Sequence, residues 1–282
     1  MKKYGRALGI IAAVLLPSCC VFEVARRPEP KMNMAEQLEQ KTVAMVQYVA
    51  KDEDGDTVKS SPDAPGAYLV PYCTGVWVSK VVFITAAHCV EGLNKPVEQQ
   101  ILERIVPQSD WEGIGIKKWD PVGQPLTYAA RVDIQDTETR TIRGTHPGRV
   151  LSYDKSHDLA LVLATPNTTD AIPTHGVASV ATSARVGQEV HIIGHTIGLW
   201  YSYTHGWVAQ IRPNALNACE EPVNALQISA PVFYGNSGGG AFNEDGELVG
   251  VMSWIRKGGP NLGFFIKYDE VNRFLQHARI TR

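Results

Sequence analysis

The chain lacks any apolar run of about 18 residues or more beyond its N-terminus, which excludes a protein built from several membrane-spanning helices. It lacks a charge excess of either sign. Lys and Arg number 27 against 29 Asp and Glu, a formal net charge of -2, so no overall field draws it to nucleic acid or to acidic substrates. It has no fixed-period repeat and no alternation of strand and helix of the kind that builds a parallel sheet. Six histidines, His146, His175, His191, His195, His205 and His277, show no clustered ligand spacing, so no zinc site is expected, nor any other metal or organic cofactor. Cysteine is scarce, with five in 282 residues. Hydrophobic residues make up 44% and charged residues 20%, the balance of an ordinary folded protein.

What is present begins with a targeting pattern. Lys2, Lys3 and Arg6 give a positive start, and Ala7 to Leu16 an apolar stretch too short to span a bilayer comfortably. No small-x-small cleavage site follows. Instead Leu16-Pro17-Ser18-Cys19 is similar to a bacterial lipoprotein box with Cys19 as the acylated residue, although Pro17 departs from that pattern. Residues 1–22 therefore read as an export segment and residues 23–41 as a polar tether with a short helix around Met34 to Gln40. The expectation is an exported protein, held to a membrane by a lipid on Cys19 and facing the periplasm or the exterior. Cleaved secretion and an uncleaved anchor are the alternatives. Export also permits disulfides among Cys19, Cys20, Cys73, Cys89 and Cys219.

From Thr42 onward, short β-rich runs alternate with Gly, Pro, Asn and Asp. Thr42 to Val49, Thr74 to Ser79, Val81 to Thr85, Leu126 to Ile134, Leu159 to Leu163, Glu189 to Ile193, Gly206 to Ile211 and Glu247 to Trp254 alternate or are continuously apolar, as half-buried and buried strands do. This is the pattern of an all-β barrel or sandwich. Near the end Val271, Phe274, Leu275 and Ala278 recur at helical spacing, with Asp269 or a neighbour as the cap. Lys51 to Gly66 is acidic, but its glycine is misplaced for a helix-loop-helix calcium site and no glutamate closes it, so it reads as a solvated loop between strands. Trp111 and Trp119 lie in a Gly/Pro-rich stretch, either as plugs folded back on the body or as an exposed patch.

Three segments carry chemistry. Phe83-Ile84-Thr85-Ala86-Ala87-His88-Cys89 is an apolar strand that ends in small residues and presents a histidine. His157-Asp158-Leu159-Ala160-Leu161-Val162 sets an aspartate at the mouth of another apolar strand, which none of Asp133, Asp136 and Asp154 does. A carboxylate buried there needs donors, and a histidine N–H, backbone N–H groups and a serine hydroxyl can supply them. Gly235-Asn236-Ser237-Gly238-Gly239 surrounds a hydroxyl with residues that allow a tight backbone able to aim two N–H groups at one point, although such a sequence can also be a plain flexible loop. Serine hydrolysis requires a hydroxyl made nucleophilic by a base, a group that orients the base, and donors for an oxyanion.

Together, in the order His, Asp, Ser, these motifs resemble those of trypsin-like serine proteases over about residues 42–277. The resemblance implies two six-stranded antiparallel Greek-key β-barrels, about 42–170 and 171–267, a C-terminal helix over 268–278, and an active site in the cleft between them. It implies His88 as base, Asp158 as orienter, Ser237 as nucleophile, and the Gly235 and Ser237 amides as oxyanion hole. It implies a Cys73–Cys89 disulfide; closing a loop of about 15 residues contributes roughly 3 kcal/mol in the chain-entropy picture. Cys219 is then left as a buried thiol or a partner for Cys20 or another chain.

Ile228-Ser229-Ala230-Pro231-Val232, Asn243 to Val251 and Asn261 to Ile266 are similar to the HtrA (Deg) branch, with no segment after Arg282 for the PDZ domain that branch often carries. The cysteine pair and Ser253-Trp254 are more similar to the digestive branch, which implies Ser253 donating to Asp158 and Trp254 in the substrate cleft or, in the plainer reading, in the core. Pro231 would lie near the base of the pocket with Ile255 narrowing its wall, implying a small or medium aliphatic residue before the cut rather than Arg or Lys. Asn236 replaces the digestive proteases' aspartate, so activation by a cut near Thr42 is not expected. Partners would be protein or peptide substrates, with no nucleic acid. The sequence carries no signal for an oligomeric state.

Overall fold

The computed structural model describes residues 32–61, 63–91, 121–130, 145–165, 176–256 and 262–279. Cys19, Cys20, Trp111, Trp119 and His175 lie outside them. Among the described residues no helix is long and apolar enough to cross a membrane.

The fold has two closed antiparallel β-barrels and a C-terminal helix, as the resemblance implies, with two further α-helices among the described residues. The first barrel uses β1 (Thr42–Lys51), β3 (Tyr68–Trp77), β4 (Val82–Thr85), β7 (Leu159–Ala164), β6 (Thr145–Asp154) and β5 (Pro125–Ala129), neighbours in that order. It closes where Ala44 and Met45 of β1 pair with Ala129 and Tyr128 of β5. The segment expected as a plain loop holds a short strand, β2 (Thr57–Lys59), paired with the end of β1. Its turn forms because the Asp52 carboxylate accepts the Asp54 and Asp56 N–H groups at 3.1 and 2.8 Å. The second barrel runs β10 (Pro222–Ile228), β13 (Gly263–Lys267), β12 (Leu248–Ile255), β11 (Gly240–Phe242), β8 (Glu189–Gly194) and β9 (Ser202–Leu216), with β9 returning to β10.

Alternation along the strands explains three cores. Inside the first barrel, Trp77, Phe83 and Tyr128 meet edge-on or tilted at 5.4 to 5.9 Å, with Met45, Val150 and Val162 around them. Inside the second, Ile192, Val208, Leu226, Val249, Met252 and Phe265 fill the space. A third cluster lies between the barrels and draws on both: Val76, Ile84, Leu159 and Leu161 from the first, Ile193, Phe242, Leu248, Val251 and Ile266 from the second.

Two helices seal that middle cluster. In α1 (Met34–Lys41) Asn33 and Glu36 form a capping box, each side chain accepting the other's N–H, and Leu38 is fully buried between the barrels. The expected short helix is therefore present and packed. In α3 (Tyr268–His277) Val271, Phe274 and Leu275 face the same cluster. The residue capping α3 is Lys267, which has no side-chain acceptor to offer, rather than Asp269. Asp269 sits two residues on, within the first turn, where its carboxylate accepts the Glu270 N–H and the Lys267 ammonium, each at 3.1 Å, and faces the positive end of the helix dipole.

Candidate active site

β4 is buried throughout and runs into Ala86 and Ala87, both fully buried, before the chain turns into α2 (Ala87–Glu91). His88 emerges at the seam, partly exposed. Cys89 is bridged to Cys73 on β3, with 6.1 Å between Cα atoms, which fixes the backbone beside the imidazole.

Asp158 ends a tight turn after β6, its N–H donating to Lys155 O at 3.2 Å and its φ at 52°, a left-handed conformation that aspartate tolerates better than most residues. The Asp154 carboxylate ties this turn down by accepting from Ser156 Oγ at 2.6 Å and His157 Nδ1 at 2.7 Å. His157 thus braces the barrel edge. The Asp158 side chain is fully buried, and a buried carboxylate needs donors. Four converge on it: the His88 N–H at 3.0 Å, His88 Nδ1 at 3.0 and 3.1 Å, Ser253 Oγ from β12 of the other barrel, and Cys219 Sγ at 3.8 Å. An ionised carboxylate only accepts, so His88 Nδ1 carries the proton and Nε2 presents a lone pair.

Ser237 lies between β10 and β11, on the second barrel's side of the seam. Four carbonyls in a row are held there. Tyr234 O accepts from Ile197 N at 2.7 Å, Gly235 O from Thr74 Oγ1 at 2.7 Å, Asn236 O from Gly239 N at 2.9 Å and Ser237 O from Thr74 N at 2.8 Å. In a trans peptide the N–H points opposite to the C=O, so the Gly235 and Ser237 N–H groups are directed away from these anchors. Neither donates to an acceptor among the described residues. Two glycines are sterically required here: Gly235 has φ 96° with its Cβ position against His195 O, and Gly238 has φ 81° with its Cβ position against Thr85 Oγ1 and Thr74 O. Asn236 is buried, and its carboxamide oxygen accepts from Thr196 Oγ1 at 3.1 Å.

A groove of about 600 Å³ is lined by Trp254, Ile255, Phe264, Arg212 and Leu216 among others, and by none of His88, Asp158 and Ser237. Trp254 stacks on Phe264 at 4.9 Å with planes 5° apart, and it also packs against the middle core. Pro231 is exposed, and its carbonyl accepts from Thr204 Oγ1 at 3.0 Å; it is not among the residues lining this groove. Among the described residues the metal-type side chains that cluster are Cys73, His88 and Cys89, and the two sulfurs are spent in the disulfide.

The model for a trypsin-like peptidase domain matches residues 73–251, well over half of the chain and all three chemistry-bearing segments. The chain belongs to this family. Among curated relatives, it is 27% identical to Protease Do-like 1, chloroplastic, of Arabidopsis thaliana, over 63% of this chain and 42% of that one. It is 29% identical to a Serine protease HtrA-like of Staphylococcus aureus, over 46% of this chain and 18% of that one. The chain spans less than half the length of these relatives. Among solved structures, the HtrA-type protease AlgW with a decapeptide superposes with TM-score 0.58 at 15% identity, covering 86% of this chain and 65% of that one. The Rv3671c protease from M. tuberculosis in its active form gives TM-score 0.54 at 19% identity, covering 87% and 83%. These two likenesses speak for the fold.

Within a trypsin-like frame, the sequence brought forward His88, Asp158, Ser237, Gly235 and Ser253. Three further residues emerge only in space. Cys219 is a free, half-buried thiol against Asp158, and burial, Asp158 and Glu91 push its pKa up to about 12. Asn217 carries the hairpin of Cys219 against the Asp158 turn by donating to Ser156 O at 2.8 Å and accepting the Cys219 N–H at 2.8 Å. Thr74 follows Cys73 directly, and its place after the bridged cysteine is the one sequence signal that could have drawn attention to it.

Proposed function

We propose that this protein is a serine endopeptidase that cuts peptide bonds through an acyl-enzyme intermediate. The observation that carries the reading is the tautomer of His88. With Nδ1–H committed to Asp158, Nε2 is left as a base at the seam that also holds the Ser237 turn and two unpaired amides. In the proposed cycle His88 takes the Ser237 proton as Oγ attacks the substrate carbonyl. The Gly235 and Ser237 N–H groups receive the oxyanion. His88 then protonates the leaving amine and, in the second half, activates water. Asp158 orients the imidazole and offsets its positive charge, and Ser253 and His88 N share the carboxylate's burden.

Protein or peptide substrates would run along the groove beside Trp254 and Ile255. No carboxylate lines this groove among the described residues, and none is at Pro231 or Ile255 to meet a cation, which supports small or medium aliphatic residues over Arg and Lys before the cut. The Asn236 carboxamide, which accepts from Thr196, is neutral and cannot form an ion pair with a new α-ammonium, which supports activity without proteolytic trimming near Thr42. The N-terminal pattern Lys2 to Cys19 supports export and lipid attachment at Cys19.

The test uses a serine-reactive fluorophosphonate probe and an aliphatic peptide library. Wild type is labelled and cleaves; Ser237→Ala does neither, and His88→Ala loses at least about 10³-fold in rate. Labelling that persists in Ser237→Ala, or a wild type inert to both, would overturn the proposal and leave a binding module on a protease fold.

A further inference from the structure

The two amides that would hold the oxyanion sit on a loop of the second barrel, yet the side chain that grips that loop comes from the first. Thr74, on β3, is fully buried. Its N–H donates to Ser237 O at 2.8 Å and its hydroxyl reaches Gly235 O at 2.7 Å. Its own carbonyl is held in turn by Thr85 Oγ1 at 2.8 Å. Thr74 therefore holds the carbonyl between the two amides and the carbonyl after them.

The direction of each proton follows from chemistry. A carbonyl cannot donate, so the Thr74 hydroxyl proton goes to Gly235 O. The same oxygen lies 3.0 Å from His195 Nδ1, and with its proton already committed it must accept there. His195 is accordingly the Nδ1–H tautomer, with Nε2 a bare lone pair. The surroundings agree: the ring is fully buried, it is boxed edge-on by Trp200 at 5.6 Å and Tyr201 at 4.9 Å, and Nε2 has no hydrogen-bond partner among the described residues. A proton on Nε2 would be an unsatisfied buried donor, whereas an idle acceptor costs less. Desolvation holds the imidazole neutral, with its pKa lowered to about 3. The opposite face of the loop is gripped by Ile197 N on Tyr234 O at 2.7 Å, from a 3-10 turn (Thr196–Gly198) in which Ile197 takes φ 52°. A β-branched residue in the left-handed region is strained, and the bond it makes to the loop gives that strain a reason.

We propose that Thr74, oriented by His195, is a positioning residue that sets the Gly235 and Ser237 amides for transition-state binding. This rests on the protease reading above. It places the alignment of the second barrel's catalytic loop under a hydroxyl of the first barrel, one residue from the Cys73–Cys89 bridge that also anchors His88.

The test is Thr74→Val against Thr74→Ser in the full chain. Removing an oxyanion donor outright costs about 10²–10³-fold in kcat, so loosening both amides is expected to lower kcat by about 30-fold in Thr74→Val, with KM within about twofold. Thr74→Ser, which keeps the hydroxyl, stays within about threefold of wild type. A peptide boronate, which mimics the tetrahedral state, loses affinity for Thr74→Val in step with kcat. An uncut peptide binds Ser237→Ala equally well with or without the Thr74→Val change, a split that a merely structural role would not give. If Thr74→Val folds poorly, Thr74→Ala replaces it, and ¹⁵N NMR of His195 in wild type gives an independent reading: Nδ1 protonated and Nε2 bare from pH 5 to 8. An active wild type with an equally active Thr74→Val, equal losses in kcat and peptide binding, or His195 protonated on Nε2 would each overturn the inference alone. An inert wild type would overturn the protease reading and this inference with it.

Discussion

Asp158 illustrates how much of a site can be read from a single residue's neighbours in sequence, and how much cannot. Its place at the mouth of Leu159-Ala160-Leu161-Val162 marks it, because a carboxylate entering a buried strand must be met by donors. Ser253 was legible by resemblance. Cys219 was not, because 61 residues separate it from Asp158 and only the closing of the second barrel brings the thiol within 3.8 Å. Thr74 and His195 escaped for the same reason: each has an ordinary local sequence, and their meaning lies in a loop contributed by the other barrel. Cys219 also yields a prediction. With its pKa pushed up to about 12, the thiol is almost wholly protonated at pH 8. An aromatic disulfide reagent should therefore modify native protein at least about 100-fold more slowly than urea-unfolded protein, since only the thiolate attacks. Equal rates in the two states would place the thiol in open solvent and remove it from Asp158.

At the level of elements, strands with a clean apolar pattern were found where expected, and ends were where readings drifted. β3 and β9 extend well beyond the apolar stretches that mark them, β9 to 15 residues, because barrel pairing recruits polar, solvent-facing positions such as Gln210 and Arg212 that carry no periodic signal. β6 contains Pro147 and Gly148, residues that argue against a strand. It is nonetheless paired on both sides, and the Gly148 Cβ position is filled by Leu126 and Val162. The cap of α3 shows packing overriding a local preference: Val271, Phe274 and Leu275 fix where the helix must run, and Lys267 falls at its start. α1 is the element whose role is least visible in sequence, since its composition is that of a polar linker with one leucine. That leucine is fully buried, and Thr42 Oγ1 closes the helix on Leu38 O at 2.8 Å. Leu38→Ala should destabilise the protein by about 2–5 kcal/mol in urea unfolding with m unchanged. A loss under about 0.5 kcal/mol would mean that the helix merely rests on the surface.

For the whole molecule, His195 links fold and solvent acidity. The unfolded chain binds a proton at this ring as pH falls below about 6.5, while the folded protein refuses it down to about pH 3. The unfolded state therefore holds more protons across that window, and the contribution of His195 to stability is fully present above it and shrinks as pH drops through it. The melting temperature of wild type should fall from pH 6.5 toward pH 4 more steeply than that of His195→Asn, which has nothing to titrate; parallel curves would show that the ring takes up its proton without leaving the fold. Among the described residues the middle cluster holds 19 buried side chains, against 15 and 12 inside the two barrels themselves. Two halves joined by so large an oily surface do not swing apart cheaply, since any gape wets it. On the protease reading, control of cutting would act through small rearrangements along the rim, at the level of single peptide planes.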